Sequence, residues 1–163
     1  MRNIMSIAVI ALFLAGCSHA ISRESLDLVD QNISFGKVKE NPAGVTGKYV
    51  LLGGIIAGVE NSAAGGELEI VQIGLDWLGR PADGAPSEGR FIARNEKFLD
   101  PVVFAKGLAI SLVGRVDGTR SKSLGGTEYT YPVVTIRELR ILQPGESWNY
   151  PTFHFGIGIG HTF

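Results

Sequence analysis

Two adjacent glycines, Gly53 and Gly54, interrupt a long apolar run, with Tyr49-Val50-Leu51-Leu52 before them and Ile55-Ile56-Ala57-Gly58-Val59 after. Such a run reads as a strand with both faces buried. Glycine weakens a strand interior unless the chain bends there or another backbone passes close by. The pair is therefore expected to kink the strand over Lys48 to Glu60, so that one strand serves two sheet edges.

The following residues supply its partners. Asn61 to Gly66 reads as a flexible turn, and Glu67 to Leu78 as a second strand, in which Leu68 and Ile70 alternate with Glu67 and Glu69. Gly79 to Gly89 carries two prolines and three glycines, which mark an exposed loop. Arg90 to Arg94 is a short third strand. Asp100-Pro101 predicts one short helix over Val102 to Lys106, capped by Asp100 and stopped at Gly107. Leu108 to Val116 alternates as a fourth strand, turn signals fill Asp117 to Gly126, and Tyr129 to Leu142 makes the last strand. Three strands, a short helix and two strands, led by a long bent strand, give the order of a mainly β, small OB-like Greek-key barrel. An open β-sandwich fits the same spacing. Glycine at 22 of 163 residues, only seven prolines and 45% hydrophobic residues suit a turn-rich β chain better than a disordered one.

The N-terminus decides where such a domain would work. Met1-Arg2 is a small positive region, Ile4 to Leu14 is apolar, and Ala15-Gly16 are the small residues a signal peptidase admits. The apolar run falls short of the ~20 residues that span a bilayer. Cys17, the one cysteine of the chain, follows directly, so residues 1–16 read as a lipoprotein signal peptide and Cys17 as the lipidation site. Acyl chains on Cys17 would hold the protein to outer-membrane lipid, since two chains already anchor stably at ~0.8 kcal/mol per buried methylene. Ser18 stands where lipoproteins kept in the inner membrane often carry Asp, which favours the outer membrane. With Cys17 acylated, no thiol remains for a disulfide, a metal or a nucleophile. Residues 17–47 are polar and irregular and read as a lipidated tether and docking segment, with a brief helix around Ile33 to Glu40. Residues 48–143 form the barrel domain, and 144–163 an aromatic, glycine-rich tail in which Trp148, Tyr150, Phe153 and Phe155 are a candidate partner surface.

These features together resemble the Slp family, the starvation-inducible outer-membrane lipoproteins of Gram-negative bacteria. The matching residues are Leu14-Ala15-Gly16-Cys17, Asn41-Pro42 with Gly47-Lys48, Gly53-Gly54 with Ile55, Val59 and Asn61, Leu68-Glu69-Ile70 and Leu75-Asp76, Gly89-Arg90-Phe91, Phe98-Leu99-Asp100-Pro101, and Gly114 with Gly118. They run from the signal to about Pro132-Val133; beyond about Ile136 the chain departs from the pattern. The resemblance implies an outer-membrane lipoprotein tied to starvation, stationary phase or acid stress, with no catalytic motif to carry over and only Cys17 transferred as a functional residue.

Residue chemistry agrees with a quiet site. The formal charge is −1 and the basic residues are scattered, which argues against nucleic acid. His19 sits beside the membrane, and His154 and His161 lie in the tail with no acidic or cysteine partner at ligand spacing, so no metal or cofactor is expected. Asp76 and Asp100 sit beside turns, where aspartate accepts backbone hydrogen bonds, and no Gly-x-Ser-x-Gly elbow is present. The leading expectation is a non-enzymatic envelope component, lipid-anchored and periplasm-facing, that binds an envelope protein, lipopolysaccharide or cell wall through the Gly79 to Gly89 loop and the tail. The alternative is a periplasmic hydrolase or small-ligand carrier with a site the sequence does not display.

Overall fold

In the computed structural model, which describes residues 19–142, β1 (Tyr49–Ser62) changes partners at the glycine pair. Its first half, Tyr49 to Ile55, pairs antiparallel with β4 (Ala109–Leu124), and Gly54 to Ser62 pairs with β2 (Gly65–Gln72). The close approach behind this is visible at Gly54, where a Cβ would run into the Val71 carbonyl. From β2 the sheet continues to β3 (Arg90–Asn95), then to β5 (Thr127–Leu142) in parallel, and back to β4. The order β1-β2-β3-β5-β4 closes on itself, so the expected OB-like barrel is the observed fold and the sandwich is not.

Alternation fills the interior. Val50, Leu52 and Ile56 from β1, Leu68 and Ile70 from β2, Phe91 and Ala93 from β3, and Ile110, Leu112 and Val116 from β4 form one buried cluster with Val134 of β5. One end is stoppered by α2 (Phe35–Glu40) and α3 (Pro42–Val45), whose Phe35, Val38 and Val45 join that cluster. Phe35 meets Phe91 with ring centroids 5.8 Å apart. Ser34 starts α2 by accepting the Lys37 amide (3.3 Å), and Asn41 starts α3 by accepting the Gly44 amide (3.0 Å), with Pro42 at the first helical position. The opposite end is closed by the β3–β4 connection, which inserts Leu99 and is held by Asn61, whose amide group bonds both the Leu99 N–H and C=O (2.8 Å each).

Several elements differ from expectation for identifiable reasons. The helix expected over Val102 to Lys106 is absent. Asp100 C=O accepts from Val103 (3.0 Å) and Phe104 (2.8 Å) in a single turn. Two β-branched valines in so short a run do not offset the cost of helix nucleation. Instead the helices lie ahead of the barrel, where α1 (Arg23–Leu26) precedes α2 and α3. Strand β2 stops at Gln72, because the chain then folds Leu75 and Pro81 onto the outside of Gly53. The turn signals at Asp117-Gly118 mark a β-bulge, not a turn. The register shifts between Val116 and Gly118, Gly118 takes φ +128°, and β4 runs on to Leu124 before the Gly125-Gly126 turn. The stretch expected to begin as a spacer is held against the barrel from Ala20 onward. Ala20, Ile21 and Ser25 are buried, and Val29 pairs with Tyr49 in a parallel bridge.

The bend can be tested directly. Gly54→Ala should destabilise the Cys17→Ala form by about 3 kcal/mol, the scale of a backbone overpacking clash. By contrast, Gly58→Ala, four residues on and with nothing within 4 Å of its Cβ position, should change stability by less than ~0.5 kcal/mol. Urea unfolding of both variants measures the difference.

Candidate functional site

Beyond the bulge at Asp117, the β4–β5 hairpin becomes a ribbon that folds over the outer wall of β2 and β3. Its landing is set by carboxylates that the alternation of β2 turns outward. Arg120 grips Glu67 with both terminal nitrogens (2.6 and 2.8 Å), and Lys122 meets Glu60 of β1. Tyr131 donates its hydroxyl to Glu69 (3.0 Å), which also accepts from Arg90 (2.7 Å). Under these pairs lies a small apolar patch of Ile92, Tyr131 and Val133, with Tyr129 against Tyr131 at 4.7 Å between ring centroids. A cavity of about 70 Å³ remains between ribbon and wall beside Gly58, Glu69 and Lys122.

At the root of the ribbon, next to the β1–β2 turn, opens the larger feature, a polar groove of about 600 Å³. Ser62, Ala64 to Gly66, Asn95 and Glu96 line it together with Arg94, Arg115, Arg120 and Thr135. Asp117, the bulged residue, organises it. Its carboxylate accepts from Arg94 (2.9 Å) and Thr135 (2.5 Å), and pairs with Arg115 (3.4 Å). Each guanidinium carries five N–H donors, and Arg94 and Arg115 keep side chains 43% and 50% exposed while touching Asp117. Unused donors therefore line the groove beside the acceptors Glu60, Glu67 and Glu96. This arrangement suits oxyanions and hydroxyl groups, not an apolar ligand.

The electrostatics follow from these contacts. Hydrogen bonds from Arg120 hold the Glu67 carboxyl below its ordinary range, against the opposing effect of burial. Burial, then the hydrogen bond to Glu69, push the Tyr131 phenol up to about 12. Asp76 and Asp100 accept backbone hydrogen bonds as expected: Asp76 takes the amides of Leu78 and Arg80 (2.9 Å each), and Asp100 that of Val102 (2.8 Å). Burial works to raise the Asp76 carboxyl, but those two amides together with the Arg80 guanidinium outweigh it and hold it low. Among the described residues, no group of three or more His, Cys, Asp or Glu could hold a metal ion.

Cys17, Trp148, Tyr150, Phe153 and Phe155 lie outside the described residues. The Gly79 to Gly89 loop, expected as an exposed surface, is only partly one. Gly79 and Pro81 are buried against β1 and β4, where Ser111 donates to the Gly79 carbonyl (2.7 Å), while Asp83, Gly84 and Pro86 to Glu88 are exposed. The arginine groove was not anticipated. Its signal was present in the outward acids Glu67 and Glu69 facing Arg90 and Arg94, but Arg120 and Asp117 join them only through the fold of the ribbon.

A closed OB-like barrel, with an N-terminal segment clamped along its wall and a charged groove at one end, defines a small β-barrel domain. The sequence pattern of the outer membrane lipoprotein Slp family matches residues 14–155, and the chain belongs to that family. It is 34% identical over 133 residues to the uncharacterized lipoprotein YeaY of Escherichia coli (strain K12), covering 77% of this chain and 65% of that protein. With the outer membrane protein Slp of the same organism it shares 26% identity over 152 residues, 91% of this chain and 80% of Slp. An uncharacterized protein of Haemophilus influenzae is 30% identical over 106 residues, 64% of this chain and 57% of its own. The chain thus spans about two thirds of the length of YeaY and is an outer-membrane lipoprotein by family.

Because the folded Glu67 carboxyl titrates below its ordinary value, its contribution is complete above the ordinary carboxylate pKa and is lost as pH falls through the lowered value. Amide protection in Thr119 to Thr130 should therefore fall on acidification below about pH 4, ahead of protection in β1. Glu67→Gln should remove that acid step at a cost of about 1 kcal/mol or less, as suits a half-exposed pair. Hydrogen exchange followed by NMR, corrected for intrinsic rates, measures both.

Proposed function

We propose that the chain is cleaved before Cys17, acylated there, and works on the periplasmic face of the outer membrane as a non-enzymatic envelope component under starvation, stationary-phase or acid stress. Its part is to hold a partner through the groove around Asp117. The single observation that carries this reading is the half-exposed Arg94 and Arg115 pair, which presents unused donors into an open groove of about 600 Å³. Envelope partners supply the matching chemistry: cell-wall glycan and lipopolysaccharide both combine hydroxyls with carboxylates or phosphates, and a protein surface can offer acidic side chains. The anchor is supported by the family match, which includes Leu14-Ala15-Gly16-Cys17. The stress association rests on the resemblance to starvation-inducible family members. The same match extends to residue 155, so Trp148, Tyr150, Phe153 and Phe155 are retained as a second partner surface.

A carrier of a small polar ligand is the second reading, favoured by a groove volume within the usual range for small-molecule sites. Crosslinking in intact cells separates the two. A photoreactive residue at Ser62, on the groove rim, should give an adduct of defined larger mass if the partner is macromolecular, and Arg94→Ala with Arg115→Ala should abolish it. An adduct unaffected by the two arginine substitutions would remove the groove from the proposal. In the same cells, Cys17→Ala should eliminate palmitate labelling and release the protein from the membrane fraction; continued labelling would rule out Cys17 as the anchor.

A further inference from the structure

The chain is fastened to the barrel almost as soon as it passes Cys17. The Ala20 amide donates to the Leu78 carbonyl at 3.2 Å, and the Ala20 side chain is buried against Ala109, where β4 begins, and Leu142, where β5 ends. Two residues on, Ser22 gives its amide (3.0 Å) and its hydroxyl (2.5 Å) to Glu138 of β5. Only three residue steps separate Cys17 from Ala20, a reach of ~10 Å when fully extended. Whatever holds Cys17 at a lipid surface must hold this corner of the barrel about 10 Å from it or closer.

Both connections that meet Ala20, one through Leu78 and one through Ala109, carry exposed apolar side chains, and the remaining exposed large apolar side chain of the described residues, Leu28 (45%), belongs to the N-terminal stretch. Trp77, next to Leu78, is 74% exposed. The connection from Glu96 to Leu108 leads directly into Ala109 and closes the same end of the barrel, and it exposes Phe98 (69%), Val102 (85%) and Val103 (51%). Leu99 in the same loop is buried, so the outward set is not the residue of a loop that failed to pack. Exposed apolar groups on a well-packed domain, here carried by the two connections that meet Ala20, mark a contact surface, and tryptophan favours the headgroup layer. Glu96 and Asp100 balance Lys97 and Lys106 along the loop, so no net charge opposes approach to phospholipid.

We propose that this end of the barrel, formed by Trp77 and the Phe98 to Val103 loop, is a membrane-docking face that enters the phospholipid headgroup layer beside the anchor. The proposal rests on acylation of Cys17, and it fixes how the domain sits on the membrane. Because Glu96 opens the loop and also lines the groove, docking sets the groove beside the lipid surface.

The test uses the acylated full-length chain carrying Trp148→Phe, which leaves Trp77 as its one tryptophan. It is incorporated into vesicles of phosphatidylethanolamine and phosphatidylglycerol, part of the lipid brominated just below the headgroup. Flotation reports the anchor, and Trp77 emission reports docking. The expected result is floating protein whose Trp77 emission falls by about half in brominated lipid, as for an indole at the interface. In a second chain, Val102→Cys, the introduced thiol should react several-fold more slowly with a water-soluble maleimide in vesicles than in detergent. Floating protein with unquenched Trp77, and a Val102→Cys thiol that reacts equally fast in both, overturns the docking face and leaves the anchor standing. Protein that fails to float overturns the anchor, and the docking face falls with it.

Discussion

The contact on which the barrel depends is the passage of the Val71 carbonyl across Gly54, in space that any side chain would occupy. It allows one strand to hold β4 with its first half and β2 with its second, and without that exchange the sheet has two open edges. Once β1 bends, the remaining seam is short. Ile92, Ala93 and Arg94 meet Val133, Val134 and Thr135 in parallel, and this brief pairing completes the ring. Full closure removes the unpaired edges that make isolated sheets prone to association, and it lets a modest set of aliphatic side chains fill the interior without disulfide support.

A second consequence of local geometry is the ribbon. In barrels of this type the outer face of the second and third strands is the usual ligand platform. Here that face is occupied by the chain's own hairpin, turned onto it by one extra residue at Asp117. The ion pairs that meet it are half-exposed and individually weak. Burial of Tyr131 over Ile92 supplies most of the adhesion, while the pairing of Arg120 with Glu67 and Lys122 with Glu60 decides where the hairpin comes to rest. The groove is what this arrangement leaves uncovered, so its shape is a property of the ribbon as much as of the barrel.

The barrel was legible in the sequence because its signals are local: the glycine pair, the alternation of Leu68 and Ile70 with Glu67 and Glu69, and the spacing of the strands. The site was not, because it is assembled from residues distant along the chain. Arg120 reaches Glu67 only after β4 continues past Val116, and Asp117-Gly118 carries the same composition whether it makes a turn or a bulge. Asp100-Pro101 shows the same limit from the other side. It has the residues of a helix start, yet the following valines and the need to span the barrel mouth hold it to one turn. The N-terminal stretch looked polar enough for a spacer. Of its apolar residues, Ile21, Phe35, Val38 and Val45 are buried while Leu28 stays exposed, so a few well-placed side chains dock it more firmly than their density suggests.

That docked N-terminal stretch also has a mechanical meaning. A pull on the chain at residue 19 runs through residues 20 to 30, which cross β5 at Glu138 and reach β1 at Tyr49 before the chain enters the sheet. Such a pull is therefore taken first by the Ala20 and Ser22 hydrogen bonds, outside the ring of strands. The first contacts to carry tension are thus a few hydrogen bonds along the wall, and the closed ring of strands lies behind them.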